Sequence, residues 1–209
     1  HNKFTNIVFK ESLSKNSVLA IVEDQKGKIW IATDGGGLVV YDKGKMDYLK
    51  LPKSENQNYI RSIYCDKQNN KWLATRNGLA ILKPNNQIID TLPNINATQV
   101  IIDEGGKVWC STFGDGLIEL GKNSVKKYTK KEGLISNHIR AFVFRKDGTM
   151  WLVSKNGISK FDGVTFKNFT QNDGLSNNNI KCVIEDNDGN LFLGSDGGGL
   201  IKFTNERFV

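Results

Sequence analysis

The chain has 209 residues, of which 38% are hydrophobic and 24% charged, and its formal net charge is +7. This composition is typical of a folded globular domain, and no apolar stretch reaches the roughly 20 residues that span a bilayer. The lysines are scattered, which favours a solvated surface, so we expect no nucleic-acid partner. Cys65, Cys110 and Cys182 form neither a disulfide framework nor a zinc motif. We interpret them as small buried hydrophobic residues and expect no metal and no cofactor.

The first predicted elements are four short strands. Strand A is predicted near Val18–Asp24 and strand B, which contains Trp30, near Ile29–Thr33. A glycine turn leads to strand C near Leu38–Asp42, and a more polar strand D follows near Lys45–Leu49. No segment combines 3.6-residue periodicity with helix caps, so the sequence predicts almost no helix.

The same pattern recurs four more times along the chain. The strand B aromatic precedes a glycine turn, and an Asp, or once an Arg, stands six residues before it. A Gly or Asn three residues before the aromatic indicates a tight hairpin that ends in a left-handed residue. The five aromatics, at intervals of 42, 37, 42 and 41 residues, are Trp30, Trp72, Trp109, Trp151 and Phe192.

Four short antiparallel strands per repeat of about 40 residues are typical of a propeller blade. We therefore predict an all-β fold, a β-propeller of five four-stranded antiparallel blades, with the strand B aromatics between neighbouring blades. Residues 1–209 are expected to form a single domain, with repeat units at residues 16–57, 58–94, 95–136, 137–177, and 178–209 plus 3–8.

The two ends of the chain occupy the same point of the repeat. Phe4 and Phe208 take equivalent positions in strand D. We therefore expect the N-terminal strand, residues 3–8, to pair with the C-terminal blade and close the ring. A fragment of a longer array of blades is the alternative.

A candidate binding site follows from the loops. In a propeller, the D–A and B–C loops crowd one face around the central channel, and loops on a rigid scaffold commonly carry function. Repeated Asn residues at positions 16, 58, 137 and 178 are assigned to turn geometry. Residues that differ between repeats are the better candidates for binding a small polar or anionic molecule or an oligosaccharide: Tyr59, Arg61, Arg76, Phe113, His138, Arg140, Lys155, Asn179 and Lys181.

The repeat resembles the two-component regulator propeller repeat. Its pattern, from an Asn through Asp, Gly and Trp-(I/L)-(G/A)-Thr to Gly-Gly-Leu, is present between Asn16 and Leu38. The resemblance implies the extracytoplasmic input domain of a sensor kinase, a periplasmic or extracellular location, a signalling partner domain and a response to glycans. The repeat is similar, more weakly, to the blades of streptogramin lyases.

We expect a ligand-sensing module rather than an enzyme. His138 has no obvious sequence-level partner, and the chain carries no Ser-His-Asp order, HExxH motif or P-loop. No catalytic residue is assigned. A protein–protein interaction scaffold and a lyase-type enzyme remain the alternatives.

Overall fold

The computed structural model describes residues 17–51, 55–204 and 206–209. Within them the chain forms five antiparallel sheets of four strands, and in each sheet neighbouring strands follow one another along the sequence. Each sheet is one blade, and the predicted all-β architecture of five four-stranded blades is confirmed. None of the helices in the described residues is long and apolar enough to cross a membrane.

Each blade takes its four strands from one continuous stretch of the chain. In the first two blades they are β1 (Val18–Glu23), β2 (Ile29–Thr33), β3 (Leu38–Asp42), β4 (Lys45–Leu49), β5 (Ile60–Cys65), β6 (Lys71–Thr75), β7 (Gly78–Leu82) and β8 (Ile88–Pro93). In the third and fourth they are β9 (Ala97–Ile102), β10 (Val108–Thr112), β11 (Leu117–Leu120), β12 (Val125–Tyr128), β13 (Ile139–Phe144), β14 (Met150–Ser154), β15 (Gly157–Phe161) and β16 (Phe166–Phe169). The fifth blade contains β17 (Ile180–Glu185), β18 (Leu191–Ser195), β19 (Leu200–Thr204) and β20 (Arg207–Phe208).

Helix is limited to three short 3-10 turns among the described residues, Glu55–Asn58, Lys130–Glu132 and Gln171–Asp173. Two of these turns begin with a threonine that forms a capping box. Thr129 caps the second turn together with Glu132, and Thr170 caps the third together with Asp173. Each of the two turns ends at a glycine in the left-handed region, so the chain can bend back toward the next blade.

The apolar core lies between blades. Trp30 and Leu38 of the first blade share a buried cluster with Ile60 and Leu73 of the second. Trp151 of the fourth blade is fully buried in a cluster with Leu191 and Leu193 of the fifth, among others. A twisted four-stranded sheet cannot bury both faces alone, so each blade depends on its neighbours. The predicted place of the strand B aromatics between blades is confirmed for these two.

A hydrogen-bonded clip links strands A and B of the first blade. Asp24 Oδ1 accepts bonds from the backbone N–H groups of Lys26 and Lys28, at 2.8 and 3.1 Å. Its Oδ2 accepts the indole N–H of Trp30 at 2.9 Å. Gly27 completes the turn with φ of 76°. The second and third blades repeat the indole bond, from Trp72 to Asp66 and from Trp109 to Asp103, also at 2.9 Å.

A buried ion pair joins the first two blades. Lys71 Nζ lies 3.0 Å from Asp24 Oδ2, and both side chains are at most 3% exposed. The ammonium also lies over the Trp30 ring, 4.5 Å from its centroid. Burial raises the pKa of Asp24, but the bonds from Trp30, Lys71 and the backbone outweigh burial and hold the pKa well below its usual range.

The fifth blade has a short fourth strand within the C-terminal repeat. This strand is β20, in which Phe208 pairs with Phe203 and Arg207 with Thr204. Residues 3–8 themselves lie outside the described residues, so closure of the ring through them stays a prediction.

The cysteines differ in burial. Cys110 is buried, Cys65 is partly buried and Cys182 is exposed. Burial raises the pKa of the Cys110 thiol to about 12, so this residue behaves as a small apolar side chain. The prediction of a buried residue is wrong for Cys182, because its side chain is exposed on strand β17 of the fifth blade.

Candidate functional site

A β-bulge in strand A of every blade places one side chain apart from the regular alternation of the strand. The pairing of β1 with β2 skips Leu19, and the pairing of β5 with β6 skips Arg61. A bulge leaves one residue unpaired and can redirect its side chain. The five residues at this bulge position are Leu19, Arg61, Thr98, Arg140 and Lys181.

Repeated asparagines fix the loops around this position. The side-chain oxygens of Asn58, Asn137 and Asn178 each accept a backbone N–H from seven residues earlier, at 2.7–2.9 Å. The backbone carbonyl of Asn58 also accepts the N–H groups of Gly35 and Gly37 in the preceding blade, at 3.1 Å. The predicted structural role of these asparagines is therefore confirmed, except for Asn16, which lies outside the described residues. These bonds make the loops a rigid support for variable side chains.

Side chains of four blades line one cavity of about 680 Å³ at this loop face. Its volume is in the range of small-molecule sites in proteins. The cavity, called here the arginine cavity, is lined by Leu19, Asp34, Arg61, Arg76, Asn96, Thr98, Phe113 and Arg140. Three of these eight side chains are guanidinium groups, and Asp34 is the one carboxylate among the eight.

Two of the arginines are held by the next blade. Arg140 Nη1 donates to Asn179 Oδ1 at 2.6 Å and to the carbonyl of Ile180 at 2.9 Å. Arg61 makes the equivalent pair of bonds, to Asn96 Oδ1 and to the carbonyl of Ala97. Each guanidinium is thereby oriented in advance, which lowers the entropy cost of binding a ligand.

Positive charge accumulates at Arg61. Burial lowers the pKa of its guanidinium, and the neighbouring Arg76 lowers it further, while Asp34 opposes the shift. An arginine stays protonated in proteins under these conditions. An anionic ligand beside Arg61 would favour the charged form that burial and Arg76 disfavour.

Aromatic rings stand beside the cations. Arg76 lies over the Tyr59 ring, 4.2 Å from its centroid. Phe113 stacks on His138 with ring centroids 4.6 Å apart and remains 48% exposed. The Phe113 ring thus offers an apolar surface in a lining that is otherwise mainly polar.

The structure brings together four of the nine residues predicted for this site, Arg61, Arg76, Phe113 and Arg140, as direct lining. Tyr59, His138 and Asn179 contact that lining as described above. Lys181 lies outside the lining and forms an ion pair with Asp196 at 2.8 Å, which lowers the pKa of that carboxyl. Lys155 is exposed and is not among the lining residues.

Sequence reasoning missed part of the lining. Leu19 and Thr98 take the bulge position in their own repeats, so the alignment of repeats contains the signal for both. They carry no charge, and a search for charged or aromatic loop residues passes over them. Asp34 and Asn96 belong to loops that the sequence did indicate, and the structure places both at the cavity.

One family model matches the chain at two places. The family described as Two component regulator propeller matches residues 12–35 and 174–197, and each match ends shortly after strand B of its blade. The resemblance seen in the sequence is confirmed at these two places. A search of curated proteins by sequence finds no match.

Solved structures share the fold. The extracellular domain assigned to the hybrid two component system BT3049 from B. thetaiotaomicron superposes with a TM-score of 0.83 and 26% identity, over 96% of this chain and 29% of that chain. The corresponding domain of BT4673 from the same organism gives a TM-score of 0.80 and 20% identity, over 93% of this chain and 30% of that chain. This chain therefore spans less than a third of each of these two extracellular domains. The expected periplasmic or extracellular location agrees with both.

A streptogramin B lyase structure is also similar, with a TM-score of 0.76 and 13% identity over 92% of this chain and 67% of that chain. At this identity the likeness shows a shared fold and carries no activity across. The expectation of a sensor-type propeller rather than an enzyme agrees with the higher similarity to the two extracellular domains.

Proposed function

We propose that this chain is the ligand-binding propeller of an extracytoplasmic sensor, and that the arginine cavity recognises an acidic oligosaccharide. The observation that carries the proposal is the convergence of Arg61, Arg76 and Arg140 on one cavity of oligosaccharide-compatible size. Guanidinium groups bind carboxylate and sulfate through paired N–H donors, which makes arginine suited to such ligands.

The rest of the lining supports a sugar rather than a simple anion. Asn96 also lines the cavity; its Oδ1 accepts from Arg61, and its side-chain NH2 group can donate to a sugar hydroxyl. The exposed ring of Phe113 can pack against the apolar face of a sugar. An inorganic anion would contact only the guanidinium groups and would make no use of the Asn96 amide or the Phe113 ring.

Titration calorimetry with an oligogalacturonide and with its methyl-esterified form tests the charge requirement. The two probes share one backbone and differ in carboxylate charge. We expect saturable binding of the acidic form and at least about tenfold weaker binding of the ester, because each charge-assisted hydrogen bond contributes about 1.5–3 kcal/mol. Equal affinity for both forms would contradict recognition through the arginines.

Arg76→Gln tests the site itself. We expect the substitution to weaken binding of the acidic probe by about 10–100-fold, since it removes one guanidinium from the lining. Lys155→Gln is the matched control, because it removes the same charge from an exposed residue outside the cavity. Binding that Lys155→Gln weakens as much as Arg76→Gln does would show a nonspecific effect of net charge and reject the site.

A further inference from the structure

The junctions between blades present the same cationic arrangement to the arginine cavity twice. Between the second and third blades, Arg61 donates to Asn96 and to the backbone carbonyl of the residue that follows it. Between the fourth and fifth blades, Arg140 donates in the same way to Asn179 and to the next carbonyl. Both arginines occupy the bulge position of strand A and line the cavity. The two guanidinium groups are therefore equivalent members of one repeated structure.

The junction between these two arrangements, where the third blade meets the fourth, contributes uncharged side chains to the lining. Its bulge residue is Thr98, whose hydroxyl group is already bonded to Ser111 Oγ and to the carbonyl of Ile139, both at 2.8 Å. Phe113 lies at the same junction, where it stacks on His138. The order of the blades thus places Thr98 and Phe113 between the two arginines of the cavity lining.

The two arginines also have different charged neighbours. The charges that act on Arg61 are those of Arg76 and Asp34, in the first two blades. Arg140 acts on Asp196 of the fifth blade, a carboxyl whose pKa is lowered first by its ion pair with a lysine and further by Arg140. Arg61, Arg76 and Asp34 together carry one net positive charge, which one carboxylate balances. The charges around the cavity therefore suit one ligand carboxylate beside each of Arg61 and Arg140.

We propose that the arginine cavity contains two carboxylate subsites and selects an oligosaccharide with carboxylates on different sugar residues. This inference rests on the proposed function, which supplies the acidic oligosaccharide. The first subsite consists of Arg61 and Arg76, and the second of Arg140. Within the described residues, Arg61 and Arg140 bond the protein through Nη1 alone, so their other N–H groups can donate to a ligand. In blade order the exposed ring of Phe113 lies between the subsites, where it can pack against a linking sugar.

Titration calorimetry with two probes tests whether a second carboxylate is used. One probe is trigalacturonate, and the other is trigalacturonate with a free carboxylate on its non-reducing residue and methyl esters on the other two. We expect the unmodified chain to bind the fully acidic probe at least about tenfold more tightly, because a second carboxylate adds charge-assisted hydrogen bonds at a second subsite. This comparison requires no variant and does not depend on how well a variant folds.

Arg61→Gln, Arg140→Gln and the double variant test whether the subsites are separate. For trigalacturonate we expect each single substitution to weaken binding about tenfold and the double substitution about 100-fold, because effects at independent sites add in free energy. For the probe with one carboxylate, at most one of the two substitutions should weaken binding by more than about twofold, since a single carboxylate occupies one subsite at a time.

Two further variants complete the design. Lys45→Gln is the matched control, because it removes one positive charge from an exposed residue of β4, at the edge of the first sheet, and should change neither affinity by more than about twofold. Arg76→Gln replaces Arg61→Gln in the first subsite if the latter lacks the near-UV circular dichroism of a folded chain, since Arg76 is exposed and its guanidinium lies over the Tyr59 ring.

The possible outcomes distinguish this inference from the proposed function. Equal affinity of the unmodified chain for both probes would overturn the two subsites and leave acidic-oligosaccharide binding intact. So would similar weakening of the one-carboxylate probe by both single substitutions, which would mean that both arginines bind one carboxylate. A double variant that binds trigalacturonate no more weakly than the single variants would also reject separate subsites. Absence of trigalacturonate binding by the unmodified chain would refute the proposed function itself, and the subsites with it.

Discussion

At the scale of single residues, the fourth blade departs from the Asp–Trp clip. Arg145 stands where the other Trp-containing blades have Asp, and in the described residues the buried indole N–H of Trp151 has no hydrogen-bond partner. Arg145 instead bonds Glu185 at 3.1 Å and the carbonyl of Gly189 at 2.6 Å, both in the fifth blade. With Arg instead of Asp at this position, the fourth blade lacks the indole hydrogen bond within the blade and has hydrogen bonds to the fifth blade instead.

Because of this difference, replacing the strand B tryptophan by phenylalanine should lower the free energy of unfolding by unequal amounts in the first and fourth blades. Trp30→Phe removes a buried hydrogen bond to the Asp24 carboxylate as well as packing volume. Trp151→Phe removes similar volume together with an unpartnered donor. We expect Trp30→Phe to lower the free energy of unfolding by about 1.5–3 kcal/mol more than Trp151→Phe. Urea unfolding of both variants measures the difference, and equal losses would show that the clip contributes nothing to stability.

The sequence predicted the turn of this clip but not its bond. The six-residue spacing between Asp and Trp repeats clearly, and a tight hairpin explains the Asp and Gly positions by themselves. The hydrogen bond from the Trp30 indole to Asp24 depends on the direction in which both side chains leave the sheet. The six-residue spacing in the sequence does not determine that direction. The ion pair between Lys71 and Asp24 was not predicted from the sequence either, because its two residues belong to different blades.

At the scale of elements, the turn between strands B and C has strict backbone requirements. Gly37 has φ of 81°, and a Cβ atom there would lie 2.5 Å from the carbonyl oxygen of Leu49. Gly106, in an A–B turn, has φ of 83° with open space around it. The two glycines share one backbone conformation and differ in their surroundings.

Alanine substitutions at Gly37 and Gly106 distinguish the cost of backbone strain from the cost of steric crowding. We expect Gly106→Ala to lower the free energy of unfolding by about 1–2 kcal/mol, the cost of a left-handed residue with a side chain. Gly37→Ala should lower it by about 1–3 kcal/mol more, because a backbone carbonyl must move. Thermal and urea unfolding of the two variants provide the measurement. A Gly37→Ala protein as stable as Gly106→Ala would mean that β4 shifts without cost.

Strand positions were well predicted from the sequence, since alternation and glycine turns repeat in every unit. The strand A bulges were not predicted. They depend on the register between β5 and β6, for example, where the pairing skips Arg61. The candidate site was therefore found in part, through its charged members, while Leu19 and Thr98 were overlooked.

At the scale of the whole molecule, carboxylates with lowered pKa values make stability dependent on pH. In Asp24 and Asp66, burial raises the pKa, but hydrogen bonds outweigh burial and lower it. In Asp186 the side-chain bond from Asn190 is the main cause of the lowering. Such groups stabilise the fold fully above the unfolded pKa of about 3.9, and that stabilisation is lost as the pH falls toward their folded values.

We therefore expect the urea midpoint to be nearly constant from about pH 7 to 5 and to fall steeply below about pH 4. Asp24→Asn should have a lower midpoint at neutral pH, because Lys71 then lacks its carboxylate partner in a buried position. It should also show a shallower fall in acid. A midpoint unchanged at about pH 3 in the unmodified chain would contradict the stabilising role of these carboxylates.

The bulge in strand A also bears on how such a chain can diversify. The residue skipped by the pairing, Arg140 for instance, lies outside the alternation that builds the core, whereas its neighbour Ile139 is fully committed to packing. In the first four repeats this residue lines the cavity, so a mutation there can change what the cavity recognises without removing a core side chain. Duplicated blades could thus acquire new specificities one codon at a time, and the set Leu, Arg, Thr, Arg and Lys has the variety expected of such a history.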